Sequence, residues 1–183
     1  MDKIYKISVI FLSTLCILIL CLILMLLGVY FFDFIHNPQT DEELFFTTIA
    51  EKTAIAFNDC NLVKEENTHG GFLGDGITLK IYNCYSKNIR DKDLKKGLKK
   101  LPLSKNLVEE VMNNFSDDDI KPGDIIKEID NGYYFFIDNY AVSYENRQNI
   151  YSDKKLLTRP AKNYTLGVYD SDTKYFYYFE VDT

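Results

Sequence analysis

Residues 164–182 read YTLGVYD, SDT, KYFYYFEVD. Two runs dense in β-branched and aromatic residues flank three polar ones, which is the composition of an antiparallel hairpin. Upstream, IIKEIDNGYYFFID (125–138) sets Asn131-Gly132 between two apolar alternations, the strongest short hairpin signal, and predicts a second hairpin there. Its strand Tyr133–Asp138 is aromatic on both faces. Strands covered on both sides give that pattern, so the aromatic residues of 133–140 and 175–179 are expected in the core rather than on a binding face. A third hairpin is predicted from NLVKEENT (61–68) and ITLKIYNCY (77–85).

Helices fill the remaining periodic stretches. Asn37-Pro38 breaks any preceding helix, and Thr40-Asp41-Glu42-Glu43 is a capping box with three acids in the first turn. A helix over 41–59 follows, with Phe45, Ile49, Ala56 and Cys60 on one arc, widened by Leu44, Ile55 and Phe57. Residues 91–116 read as helical, interrupted by Leu101-Pro102-Leu103-Ser104. Ser104 caps a second short helix, 105–115, striped by Leu107, Val108, Val111, Met112 and Phe115. Lys95, Lys96, Lys99 and Lys100 read as a solvated helix face. Residues 117–124 and 140–162 read as loops. No βαβ alternation occurs, so the expected class is α+β, an antiparallel sheet packed by two or three helices.

Charge and hydropathy divide the 183-residue chain. Residues 7–32, ISVIFLSTLCILILCLILMLLGVYFF, contain no charged side chain. As a helix they span about 39 Å against a bilayer core of about 30 Å, so 7–32 is the expected transmembrane helix. Lys3 and Lys6 precede it, and Asp33, Asp41, Glu42 and Glu43 follow. Residues 1–6 are therefore expected in the cytoplasm and 41–183 outside the cell membrane, joined by a short linker, 33–40, that keeps the domain near the membrane. A cleaved signal peptide has a shorter apolar core and a small-residue cleavage site, which the bulky YFFDFIH here is not. Neither Cys16 nor Cys21 follows the small residues of a lipoprotein site, and the processing site and glutamate of a pilin are missing. Asp2, Lys3, Lys6 and Asp33 cancel, so the whole net charge of −6 lies in the remainder, which argues against nucleic acid as a ligand.

The most unusual segment is His69-Gly70-Gly71-Phe72-Leu73-Gly74-Asp75-Gly76. Its glycines allow positive φ and close approach, so it reads either as a wide hairpin loop or as a ligand cradle using His69, Gly70, Gly71, Gly74, Asp75 and Gly76. It is not a Walker loop, for no Gly-Lys-Ser/Thr follows. His69 is the single histidine of the body, and no ligand spacing for zinc occurs. Asp117-x-Asp119 and Asp170-x-Asp172 do not continue as calcium loops, so no metal and no cofactor are expected. No GxSxG is present. A hairpin centred near Phe72 sets Cys60 opposite Cys84: either a disulfide closing a loop of about 25 residues, worth about 3 kcal/mol, or two buried thiols.

Five segments, HGGFLGDG (69–76), LPLS (101–104), NGYYFFID (131–138), NYTLGVYDSDT (163–173) and YYFEVDT (177–183), together resemble an uncharacterised family of small proteins from Gram-positive bacteria. The family pattern has a second histidine where Leu73 stands, Arg-His in place of Asn139-Tyr140, and Trp in place of Lys99 or Lys100. The resemblance implies a common fold and carries no activity. The expectation for function is a single-pass anchored, extracytoplasmic protein that binds a protein partner or ligand, with an accessory, immunity-like or sensor role. The alternatives are a cell-envelope hydrolase using His69 and Asp75 as acid and base, and a structural envelope protein.

Overall fold

The computed structural model describes residues 15–28, 40–70, 75–113, 121–145, 147 and 149–183. They fall in two units, divided between Gln39 and Thr40. In the first, residues 15–28 form helix α1, and each of its side chains is exposed. Among the described residues no helix is long and apolar enough to cross a membrane. Residues 7–14 and 29–32 of the expected span lie outside them.

The second unit is α+β. Six strands, β1 (Asn61–Asn67), β2 (Gly76–Asn83), β3 (Lys99–Lys100), β4 (Gly132–Asp138), β5 (Asn163–Asp170) and β6 (Tyr175–Asp182), form one sheet in the order β1-β2-β6-β5-β4-β3. Every neighbouring pair is antiparallel. The helices are α2 (Asp41–Thr53), α3 (Asp91–Gly97), α4 (Lys105–Asn113), α5 (Pro122–Lys127) and α6 (Asn139–Tyr144), with 3₁₀ turns at Phe57–Asp59 and Leu156–Thr158. Among the described residues five helices replace the expected two or three, because the supposed loops contain two short ones.

Both faces of the sheet are covered, which is unusual for an antiparallel sheet. Period-2 alternation sends Tyr133, Phe135, Ile137, Phe176 and Tyr178 to one face, under Phe45, Phe46 and Ile49 of α2 and Leu94 of α3. It sends Tyr134, Phe136, Leu166, Val168 and Phe179 to the other, under Leu107 and Val111 of α4 and Ile126 of α5. The aromatic strands are therefore core, as their composition predicts. Gly167 sets how closely α2 lies: a Cβ there would stand 2.5 Å from Phe45 Cζ and 2.6 Å from Phe176 Cζ.

The capping box forms as read: Glu43 N–H donates to Thr40 Oγ1 (3.2 Å) and Thr40 N–H to Glu43 Oε2 (3.4 Å). The helix stops at Thr53 rather than 59. Thr53 Oγ1 donates back to the Ile49 carbonyl (2.7 Å), and Ala54 turns into the left-handed region at φ 58°. The first hairpin has Asn61 opposite Asn83, with a bulge between Leu62 and Lys64, and Cys60 and Cys84 just beyond that pair are joined as a disulfide with Cα atoms 4.8 Å apart.

Three further expectations are corrected. Lys99 and Lys100 form strand β3 after α3 ends at Gly97, so they are not part of a helix face. Asn131-Gly132 is not a hairpin turn: residues 125–127 belong to α5, and β4 pairs with β3 and β5 instead. A Cβ at 132 would stand 2.4 Å from the Tyr169 carbonyl, so the glycine serves close approach to β5, while Asn131 docks on the β5–β6 turn through Ser171 N–H to its carbonyl (2.9 Å). Residues 140–162 are not an unstructured loop, since they hold most of α6 and the second 3₁₀ turn.

Candidate functional site

The 69–76 segment borders a notch of about 330 Å³ on the β1 side of the sheet, lined by the start of α2 (Thr40, Asp41, Glu42), by Glu65, Asn67 and His69, and by Thr78, Lys80 and Glu180. Helix α2 brings its acids there because its capping box fixes where the chain enters. Of the predicted residues, His69, Gly70, Asp75 and Gly76 are described, and Gly71 and Gly74 lie outside the described residues. Gly76 is a packing position: a Cβ there would stand 2.6 Å from both the Cα and the N of His69. A Cβ at Gly70 meets the Thr68 carbonyl at 3.7 Å, an ordinary contact.

His69 is held on one side. Asn67 Oδ1 accepts from the His69 backbone N–H (2.7 Å) and lies 2.8 Å from ring Nδ1, with Thr78 Oγ1 at 3.2 Å from the same nitrogen. Because Oδ1 can only accept, this network assigns the proton to Nδ1 and leaves Nε2 as the basic atom. Thr78 consequently cannot pass its proton to Nδ1, so the pair is no nucleophile and base.

The notch is crowded with carboxylates. Burial, then Glu180 and Asp182, hold the Asp41 carboxyl above the usual range. Burial, then Asp75, raise Asp182, while His69 pulls it the other way. Glu42 is the hub: it accepts from Lys80 Nζ (2.7 Å) and from Tyr82 Oη (3.3 Å). The arrangement favours a cationic group. Among the described residues no group of three or more His, Cys, Asp or Glu could hold a metal ion.

One polar cluster escaped the sequence. Arg159 donates from Nη1 to Asp138 and from Nη2 to Glu145 (3.0 Å), and its guanidinium lies 4.7 Å from the Tyr140 ring centre. Asn139 donates to Thr165 Oγ1 (2.9 Å). Asn139 is buried there and Tyr140 half-buried. The visible signal was Asp138 ahead of a short polar stretch, an N-cap: Ala141 N–H donates to its Oδ1 (3.1 Å).

Comparison with protein-family models, with curated proteins and with solved structures finds no match for this chain.

Proposed function

We propose that this is a single-pass membrane-anchored protein whose extracytoplasmic α+β domain binds a partner or ligand presenting a cationic group, through the notch beside His69. The observation that carries the anchor is α1. Its fourteen described residues, 15–28, are uncharged, and their apolar side chains stay exposed, from Leu15 at 44% to Met25 at 70%. Apolar surface of that extent is stable only when lipid or protein covers it. The uncharged run 7–32 is long enough for lipid to do so. The Cys60–Cys84 disulfide suits an oxidising exterior. Crowded carboxylates in the notch support a binding role toward positive charge.

The test has two parts. Tagged full-length protein should fractionate with membranes, and protease added to intact cells should remove the C-terminal domain. A soluble tagged protein, or a protected C-terminus, overturns the anchor. A photo-crosslinker at position 69 should then capture a partner that the same probe at the exposed Tyr85 does not. Equal labelling from both positions removes the notch as the contact.

A further inference from the structure

The opposite edge of the sheet holds a second cavity, unlike the first in charge. Strand β3 pairs with β4 only at Lys99–Tyr134 and Lys100–Tyr133. The next bond on that edge of β4 is Asp138 N–H to the Ile150 carbonyl (2.7 Å), and the Gly132 carbonyl on the same edge accepts from Leu101 N–H (3.0 Å). Backbone groups of an antiparallel strand point to alternate sides, so Phe136, two residues before Asp138 and four after Gly132, turns its N–H and C=O to this edge as well. A cavity of about 160 Å³ fills the gap left where β3 ends, and Phe136 lines it with Tyr134 and Tyr151.

Three lysines line it: Lys52 from α2, Lys96 from α3 and Lys99 from β3. No carboxylate is among the lining residues. Lys96 pairs with Asp93 (2.8 Å), whose other oxygen takes Arg90. Lys52 Nζ lies 4.4 Å from the Tyr151 ring centre and Lys99 Nζ 5.8 Å from that of Tyr134. Neither has a carboxylate within ion-pairing distance among the described residues. Cation–π contacts neutralise no charge. The chain as a whole has six more acidic than basic groups.

Edge protection explains part of this. Lysines on a very short edge strand oppose pairing with another sheet, which accounts for Lys99 and Lys100. It does not account for Lys52, which arrives from the helical layer, nor for Gly97. A Cβ at 97 would stand 2.6 Å from Lys52 Cβ and 2.8 Å from Thr53 Cγ2. The missing side chain lets the end of α3 close on the end of α2, and that contact brings Lys52 and Lys96 to one mouth.

We infer that this slot binds a phosphate group. Lysine ammoniums are compact point charges suited to phosphate, and the Phe136 N–H on this edge adds a directional donor. Tyrosine walls accept an apolar or aromatic body attached to the anion. The cavity lies well below the ~300 Å³ at which sites enclose a whole drug-sized ligand, so it takes the charged head and leaves the remainder outside. Soluble phosphate monoesters and anionic phospholipid headgroups share this chemistry. The inference is independent of the anchor and of the His69 notch.

Full-length protein in a non-ionic detergent is titrated calorimetrically with phenyl phosphate. Saturable binding is expected, weakening with added salt, and at least about tenfold weaker in Lys52→Ala/Lys99→Ala with the melting temperature unchanged. Lys92→Ala, a lysine outside the slot, should bind as wild type. Should the double variant lose its fold, Lys52→Gln and Lys99→Gln are measured singly, and each should weaken binding. Absence of saturable binding, or affinity equal in the variants, overturns the site. Repeating the titration in nanodiscs of phosphatidylcholine and of phosphatidylglycerol separates the sources. Weaker apparent affinity in phosphatidylglycerol identifies the lipid headgroup as the occupant, and equal affinity identifies a soluble phosphate.

Discussion

Arg159 Nη1 lies 2.6 Å from Asp138 Oδ2, and the two side chains are 9% and 2% exposed. A buried pair adds little net stability compared with apolar packing, but removing one partner leaves an uncompensated buried charge. Arg159→Met is therefore expected to destabilise the domain by about 3–5 kcal/mol in urea denaturation. Asp138→Asn added to Arg159→Met should recover part of that loss, because asparagine removes the charge and still caps α6. A double variant as unstable as the single one would show that packing, not charge, carries the effect.

The Cys60–Cys84 bridge closes a loop with a sequence separation of 24 and pins the open ends of β1 and β2. Cys60→Ser/Cys84→Ser is expected to cost about 3 kcal/mol on the chain-entropy account, roughly 6–12 °C in melting temperature. Thermal unfolding of the variant beside the oxidised wild type measures it. Coincident transitions would mean the loop is already constrained in the unfolded chain.

Carboxylates of two kinds should give the protein opposing responses to acid. Asp182 is raised above its ordinary 3.8 by burial and then by Asp75. The folded state holds that proton more tightly than the unfolded chain, so its stabilising contribution is complete below 3.8 and is lost as pH rises through the folded value. Asp182→Asn should thus be more stable than wild type at neutral pH, with the gain fading as pH falls toward about 4. Glu145 is lowered from 4.5, first by its hydrogen bond from Lys155 and then, against the cost of burial, by Arg159, so its contribution is present above 4.5 and is lost on acidification. Glu145→Gln should cost stability at neutral pH and none in acid. Melting curves across pH test both, and differences that do not change with pH would remove the electrostatic account.

Gly167 lets Phe45 rest directly on the sheet. Gly167→Ala is expected to cost about 1–3 kcal/mol through displaced aromatic rings, and Phe45→Leu in the same chain should return some of it by vacating space. Additive losses in denaturant titrations would place the strain elsewhere.

Legibility followed locality. The capping box at Thr40 and Glu43, the stripe of α4 from Leu107 to Met112, the facing of Cys60 and Cys84, and the C-terminal hairpin each depend on residues near in sequence, and each stands where the pattern placed it, while Phe115 of the predicted stripe lies outside the described residues. Asp170 closes the β5–β6 turn by accepting from Asp172 N–H (2.8 Å) and Thr173 Oγ1 (2.6 Å). Asn131-Gly132 failed because its glycine answers a distant backbone, the Tyr169 carbonyl, and not a local turn. The His69 segment was legible as unusual, yet only packing shows that Gly76 yields room to His69 itself rather than to a ligand.

By itself the sequence determined the two-part character of the chain, the α+β class and the antiparallel pairing, since hydropathy period and turn chemistry act over a few residues. Tertiary structure alone decided which charges meet. Asp138 and Arg159 are separated by 21 residues and Lys52 and Lys96 by 44, and nothing in local pattern encodes their approach. Close packing of the sheet, with glycines at 97 and 167 admitting neighbouring helices, brings such groups together, and electrostatics then acts on distances that only the folded chain defines.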